Sequence, residues 1–163
     1  MIVKGPLKPL PEMLNTGHQI VEVSLDNEFK DLILKESWAA LDSKLYSMCH
    51  KEGAIFELLT KIRPFKEIEH IIAIRQHPDE DGIWHDDGSR QLAFSLSLNM
   101  NCEKIEGGEL SIRKKGHHHT ISTIPTLPFG SMIIFLTGHD HFEHKTHCVK
   151  KGKRLIAAGW CSE

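Results

Sequence analysis

The second half of the chain consists of short apolar segments separated by glycine and proline, and this pattern restricts the possible folds most strongly. Residues 92–98 (LAFSLSL) alternate strictly between large apolar and small side chains, as in a strand whose two faces have different surroundings. Further strand candidates occupy residues 69–75, 109–113, 120–124, 131–137, 147–149 and 154–160. Six or more short strands joined by turns predict an antiparallel double sheet of the jelly-roll type.

The first half of the chain shows a different period. Residues 27–51 repeat apolar side chains every three to four positions, which is typical of an amphipathic helix. Residues 54–62 predict another short helix, and residues 18–25 predict a strand. Residues 1–17 contain three of the seven prolines and predict an extended arm. We therefore predict an α+β, mainly β fold: a double-stranded β-helix (jelly roll) with N-terminal helices packed on one sheet.

The length of 163 residues suits one domain with its own hydrophobic core. We expect a single domain over residues 1–163, because no internal repeat or low-complexity linker divides it. Within it, the extended arm precedes a strand and helical support over residues 18–68. A jelly-roll core over residues 69–163 follows and contains the candidate site described below.

The composition excludes several classes of partner. Hydrophobic residues make up 40% and charged residues 26%, and the formal net charge is -2. This charge gives no electrostatic reason to expect a nucleic acid or a membrane as partner. The apolar runs are too short for a signal peptide or a membrane span. The four cysteines form no CxxC pair, which favours free thiols in a reducing compartment, so we expect a cytoplasmic protein.

Two side chains of the metal-ligand type, His85 and Asp87, lie two positions apart. On a strand or extended turn, residues i and i+2 project to the same side, so both side chains can reach one metal ion. A third ligand must come from elsewhere in the chain. The distal candidates are four histidines: His139, His141, His144 and His147. Two histidines and one carboxylate form the set that holds non-haem Fe(II) while leaving other positions open.

Four motifs follow one another in the order IWHDDGSRQLAFSLSLN, GGEL, PFGSMIIFLT and HKTHCVKKGKRLIAAGW. In the first, His-x-Asp precedes a polar turn and an alternating strand that ends in Asn. In the last, a histidine is followed by Val five positions later, then by Gly-x-Arg and an apolar strand with Trp. With these motifs, residues 69–160 resemble the 2-oxoglutarate- and Fe(II)-dependent dioxygenases, most closely the prolyl-4-hydroxylase-like branch. Several motifs in the right order are far more specific than any one of them.

The resemblance implies that His85, Asp87 and His144 hold Fe(II). In the family pattern the distal histidine stands ten positions before the arginine, and counting back from Arg154 leads to His144. His147 is the alternative ligand, but it stands only seven positions before Arg154.

The resemblance also implies that Arg154 binds the distal carboxylate of 2-oxoglutarate through a bidentate, charge-assisted pair. Two family features are missing. A Ser or Thr often follows this arginine by two positions, where the chain has Ile156, and a Tyr on the strand before His-x-Asp is absent. Gln76, His77 and Ser95 are the candidates for supplying the missing hydrogen bonds to the co-substrate.

By resemblance, we expect a 2-oxoglutarate-dependent dioxygenase that uses Fe(II), 2-oxoglutarate and O2. It would hydroxylate an unactivated C–H bond and release succinate and CO2. Asp87 favours hydroxylation, because halogenating family members replace this carboxylate with a small residue. The substrate, a small molecule or a peptide, is unknown because variable loops near the iron would select it. The rival interpretations are a non-catalytic cupin-like metal- or ligand-binding module and a metal-dependent hydrolase.

Overall fold

The computed structural model describes residues 3–163, which contain four α-helices, two short 3-10 helices and eleven strands. The helices are α1 (Leu10–Thr16), α2 (Asn27–Leu34), α3 (Trp38–Cys49) and α4 (Ala54–Thr60). The strands are β1 (Val3–Lys4), β2 (His18–Val23), β3 (Glu67–Gln76), β4 (Leu92–Ser97), β5 (Glu106–Gly107), β6 (Leu110–Lys114), β7 (Thr120–Ile124), β8 (Ser131–Phe135), β9 (Phe142–Thr146), β10 (Val149–Lys151) and β11 (Lys153–Ser162). None of the helices in this part of the chain is long and apolar enough to cross a membrane.

The strands form one large sheet and a smaller antiparallel layer. The large sheet has six strands in the order β1-β2-β8-β4-β11-β3. The smaller layer consists of the three-stranded sheet β7-β6-β9 and the pair β10-β5. Side chains of both layers, such as Leu96 from β4 and Ile112 from β6, belong to one hydrophobic core. This arrangement confirms the predicted double-stranded β-helix.

The helices contribute their apolar faces to the same core. Leu41 and Leu45 of α3 are fully buried, and α3 contacts β3 of the large sheet. Phe29 of α2 and Leu59 of α4 are buried beside them. Asp26 caps α2, because its carboxylate accepts a hydrogen bond from the backbone N–H of Phe29 at 3.3 Å. The predicted packing of N-terminal helices on one sheet is therefore confirmed.

Two elements differ from the predictions in the first half. The helix predicted over residues 27–51 is two helices, and Glu36 between them has a left-handed backbone with φ of 51°. The apolar period continues across this break because both helices face the same core, so the pattern did not reveal it. The extended arm predicted over residues 1–17 is also wrong in part, because Leu10–Thr16 form α1. Proline is compatible with the first turn of a helix, because the backbone N–H groups there have no acceptor within the helix.

The strand predicted over residues 147–149 is also incorrect. β9 ends at Thr146 and β10 begins at Val149, so His147 and Cys148 lie in the connection. The backbone N–H of His147 donates to the carbonyl of Glu109, and the backbone N–H of Cys148 donates to the carboxylate of Asp81. These bonds turn the chain from the three-stranded sheet towards β5, which a short apolar segment cannot indicate by itself.

A nearly buried ion pair joins the end of the helical region to the turn before β9. The guanidinium of Arg63 makes a bidentate contact with Asp140, at 2.5 and 2.9 Å, and also donates to the carbonyl of Gln91. The side chains of Arg63 and Asp140 are only 11% and 10% exposed. Because this turn precedes the strand that carries His144, the ion pair helps to position one side of the candidate site.

We expect Arg63→Ala to lower the free energy of unfolding by about 3 kcal/mol, because the carboxylate of Asp140 would stay buried without a partner. Urea unfolding monitored by tryptophan fluorescence measures this loss. Arg90→Ala is the matched control, since Arg90 pairs with Glu69 on the surface and should contribute about 0–1 kcal/mol. Equal losses in the two variants would contradict a special role for the Arg63 pair.

Candidate metal centre

The backbone places His85 and His144 side by side. His85 forms an isolated antiparallel bridge with His144, which lies in β9. The N–H of His85 donates to the carbonyl of His144 at 3.1 Å, and the N–H of His144 donates back at 2.9 Å. The two imidazole centroids are 4.3 Å apart. Two positions distant in the sequence therefore become neighbours because the His-x-Asp segment pairs with the edge of the three-stranded sheet.

Asp87 completes a group of three metal-ligand side chains. Its Oδ1 lies 3.8 Å from Nε2 of His85, and its Oδ2 lies 3.6 Å from Nε2 of His144. One candidate ligand atom from each of the three residues lies within 4.8 Å of the other two. The two histidines and one carboxylate thus converge from two segments, as one divalent ion with open coordination positions requires.

The residue that orients Asp87 is Thr137, which follows β8 and is fully buried. Its hydroxyl donates to Oδ2 of Asp87 at 3.2 Å and accepts a hydrogen bond from the backbone N–H of Asp87 at 2.9 Å. Sequence reasoning missed Thr137. Its position in the motif PFGSMIIFLT was visible, but no local pattern shows that it contacts a residue 50 positions earlier.

The protonation of the two imidazoles suits metal binding. Nδ1 of His85 lies 2.9 Å from the carbonyl oxygen of Ile83, so it carries the proton and leaves Nε2 free as a ligand. Burial lowers the pKa of His144 to about 4, so this ring is neutral at physiological pH. Nδ1 of His144 is buried without a hydrogen-bond partner among the described residues. A neutral, buried imidazole facing a carboxylate fits a divalent metal ion.

The other three candidate histidines lie apart from this group. Nε2 of His147 is 2.7 Å from Oγ of Ser111, which in turn contacts Thr123. Nδ1 of His139 lies 3.4 Å from the amide nitrogen of Gln91. His141 occupies a left-handed position in the turn before β9. Within residues 3–163, His144 is thus the distal histidine that the fold brings to His85 and Asp87.

Ion pairs hold the His-x-Asp segment against the sheet. Lys115 contacts Asp86 at 2.6 Å, and this contact lowers the pKa of the Asp86 carboxyl. Arg113 contacts Glu143 at 2.9 Å, and its guanidinium stacks 4.1 Å from the centroid of the Trp84 ring. Of the two adjacent carboxylates, Asp86 therefore pairs with Lys115, and Asp87 faces His85 and His144.

Arg154 is a buried cation without a direct ion pair among the described residues. It is 5% exposed, and its guanidinium makes no hydrogen bond or ion pair with another described residue. Arg75, its cross-strand neighbour, contacts Asp79 at 3.1 Å. Burial lowers the pKa of Arg154 to about 10, which leaves the side chain charged at neutral pH. Asp79 stabilises the charge of Arg154, but this carboxylate is already paired with Arg75. A buried charge without a direct partner is costly, so this position suits a bound anion.

The cavity beside Arg154 contains only one of the three side chains predicted to assist it. Ser95 is buried and lines the cavity, as does Ile156. Gln76 and His77 are exposed and do not line it, because β3 ends at Gln76 and the chain then turns away to the surface. Their predicted contact with the co-substrate does not agree with this placement.

We expect Thr137→Val to weaken metal binding by roughly 10- to 100-fold, the usual effect of losing a side chain that orients a ligand. The isosteric change removes the hydroxyl that bonds to Asp87 while preserving the buried volume. Titration of the protein with Mn(II) under anaerobic conditions measures the dissociation constant. Thr137→Ser retains the hydroxyl and should bind metal nearly as wild type. Unaltered binding by the valine variant would rule out the orienting role.

Solved structures with the same fold include several prolyl hydroxylases. A prolyl-4-hydroxylase from Pseudomonas putida is 17% identical, with a TM-score of 0.63, and 94% of this chain and 92% of that chain are covered. A Trichoplax adhaerens prolyl hydroxylase in complex with a hypoxia inducible factor peptide is 13% identical, with a TM-score of 0.64 and coverage of 94% and 87%. A viral collagen prolyl hydroxylase from Paramecium Bursaria Chlorella virus-1 is 15% identical, with a TM-score of 0.55 and coverage of 90% and 96%.

No curated protein sequence matches the chain. The family model described as the 2OG-Fe(II) oxygenase superfamily matches residues 72–162, which is more than half of the chain. The matched region runs from β3 to β11 and includes the histidine-aspartate group and Arg154. The chain therefore belongs to the 2OG-Fe(II) oxygenase superfamily, enzymes that use Fe(II), 2-oxoglutarate and O2, and it has the fold of the prolyl-4-hydroxylases.

Proposed function

We propose that this enzyme hydroxylates an unactivated C–H bond of its substrate. One oxygen atom of O2 enters the substrate as a hydroxyl group, and the other enters succinate as 2-oxoglutarate loses CO2. The observation that carries the proposal is the convergence of His85, Asp87 and His144. Asp87 supports hydroxylation because a carboxylate at this position leaves no room there for a halide ligand.

In this proposal, His85, Asp87 and His144 hold Fe(II), which when bound supplies the oxidising chemistry with O2 and 2-oxoglutarate. The residues of the chain orient and protect that centre. Thr137 fixes the carboxylate of Asp87, and the contact with the Ile83 carbonyl fixes the ring of His85. These contacts keep the ligand atoms directed at one point before the metal binds.

The access route lies on the side of His85. Its side chain is 47% exposed, whereas that of His144 is 8% exposed. Ile83, two positions before His85, is the most exposed of the large hydrophobic side chains described. An open, partly apolar mouth suits a peptide better than a small polar molecule. Since the solved structures with this fold are prolyl hydroxylases, we propose a proline-containing peptide as the first substrate to test.

We also propose a reducing, cytoplasmic environment for the enzyme. All four cysteines are free thiols in the structure, and Fe(II) is retained more readily where oxidation is slow. The formal net charge of the chain is -2, which gives no electrostatic attraction to nucleic acids or anionic membranes. We therefore propose that its partner is a protein or a small molecule.

A two-step experiment tests the activity. The protein is loaded anaerobically with Fe(II) and 2-oxoglutarate, and the weak visible charge-transfer band of the chelate is recorded. O2 is then admitted and succinate is measured. We expect both the band and the succinate. Bound iron without band or succinate would overturn the proposal and favour the cupin-like binding module, or a metal-dependent hydrolase that needs no 2-oxoglutarate.

A further inference from the structure

We propose that Ser131, together with Ser95, supplies the hydroxyl groups that bind the distal carboxylate of 2-oxoglutarate beside Arg154. This inference rests on the proposed function and concerns the same site. It addresses the absence of a hydroxyl at Ile156, two positions after the arginine. The side chains that line the cavity show where such a hydroxyl is available.

Strand register places Ser131 in the same row of the sheet as Ile156. β4 lies between β8 and β11, and Ser97 of β4 pairs with Ile156 of β11. On the other side, Leu96 pairs with Met132, so continuing the register places Ser97 opposite Ser131. The N–H of Gly130 donates to the Ser97 carbonyl at 2.9 Å, so the beginning of β8 lies beside Ser97 with an offset of one residue in the hydrogen bonding. The hydroxyl group that is absent at Ile156 in β11 is therefore present at Ser131 in β8, on the other side of Ser97.

Ser95 lies on the same face of β4 as Ser97, one row nearer the metal group. It pairs with Ile133 of β8, which ends at Phe135, two residues before Thr137. The Phe135 ring lies 4.8 Å from the His144 ring, and Thr137 bonds to Asp87. β8 and the two residues after it thus lead from Ser131 beside the Arg154 cavity to Thr137, which orients the metal ligand. A co-substrate that spans both points lies along this strand.

The hydroxyl protons distinguish Ser95 and Ser131 from their neighbours. A carboxylate only accepts hydrogen bonds, so its partners must have an uncommitted O–H. Ser97 already donates to the Leu127 carbonyl at 2.6 Å, and Thr126 donates to the Gly107 carbonyl at 2.9 Å.

Ser95 and Ser131 have no side-chain hydrogen bond with any other described residue. Both are only 8% exposed, and both line the cavity that contains Arg154. Their hydroxyl groups are not fully enclosed by protein atoms, so a carboxylate bound in the cavity can reach both. One carboxylate between them would satisfy two donors and the guanidinium together, which is the arrangement that an anion subsite requires.

Calorimetry with Mn(II)-loaded protein under anaerobic conditions tests the subsite without turnover. We expect Ser131→Ala to weaken 2-oxoglutarate binding by about 10-fold or more, and Ser95→Ala to have a similar effect, because a hydrogen bond to a charged group is lost. Pyruvate has the same keto-acid end but lacks the distal carboxylate, so its affinity should be unchanged in both variants. Ser131→Thr keeps a hydroxyl group at this position and should bind 2-oxoglutarate nearly as the wild type does. Ser162→Ala, which removes a serine hydroxyl outside the cavity, is the matched control.

The outcomes separate the two proposals. If wild-type protein does not bind 2-oxoglutarate, the proposed function fails and this inference fails with it. If the wild type binds 2-oxoglutarate but the Ser95→Ala/Ser131→Ala double variant binds it equally well, only the serine subsite is overturned. If the variants lose affinity for pyruvate as much as for 2-oxoglutarate, the serines shape the cavity rather than bind the distal carboxylate, and the inference is again overturned.

Discussion

His144→Ala is expected to abolish Fe(II) binding, whereas His147→Ala should leave it largely intact. His144 pairs with His85 through two backbone hydrogen bonds and directs Nε2 towards Asp87, 3.6 Å away. His147 instead contacts Ser111. The loss for His144→Ala should exceed the roughly 10- to 100-fold that the removal of a ligand's supporting contact costs, because a ligand itself is removed.

Iron content after anaerobic loading and gel filtration measures this difference. His147→Ala is a matched control, since it removes another histidine only three positions further along the chain. The thermal midpoint of each variant establishes that both are folded. Retention of iron by His144→Ala together with its loss from His147→Ala would mean that the ligand assignment is wrong.

The second large effect concerns Arg154→Ala, which is expected to weaken 2-oxoglutarate binding by roughly 30-fold to several thousand-fold. This range corresponds to about 2–5 kcal/mol for removing one partner of a buried, hydrogen-bonded charge pair. The metal group should remain intact, because Arg154 lies in β11 and contacts none of its three members. Arg154→Lys keeps the charge but not the planar fork, so its affinity should be intermediate.

Anaerobic calorimetry with Mn(II)-loaded protein measures the affinity for 2-oxoglutarate, and pyruvate serves as the ligand without a distal carboxylate. Arg90→Ala, a change of the same residue type in a surface ion pair, is the control. An equal loss of affinity for both keto acids would indicate a distorted cavity. Unchanged 2-oxoglutarate binding in Arg154→Ala would exclude the proposed role of this arginine.

Much of the fold could be predicted because strand patterns are local. The alternation over residues 92–98 predicted β4 nearly to its ends, and the predicted strand over residues 120–124 coincides with β7. Elements with mixed signals were less predictable. α1 was hidden by its prolines, and the break between α2 and α3 was hidden by an apolar period that continues across it.

The candidate site was predictable where its residues belong to ordered motifs. His85 and Asp87 share one side of an extended segment, and the spacing to Arg154 selected His144 from four histidines. The structure places these three side chains together, and their role as iron ligands stays a prediction. Gln76 and His77 were chosen because they lie in the stretch where the family has a Tyr, and a position in the sequence does not determine which way a side chain points at the end of a strand.

The sequence by itself determined the class of fold, the family and the order of the candidate ligands along the chain, because periodicity and motif order are properties of the chain alone. Only the tertiary structure decided which side chains meet. Thr137 bonds to Asp87 although the two residues are 50 positions apart in the sequence. Ser131 and Ile156 lie on either side of Ser97 because β4 is the strand between β8 and β11. Such contacts depend on strand order and register, which result from packing the whole core and leave no local trace in the sequence.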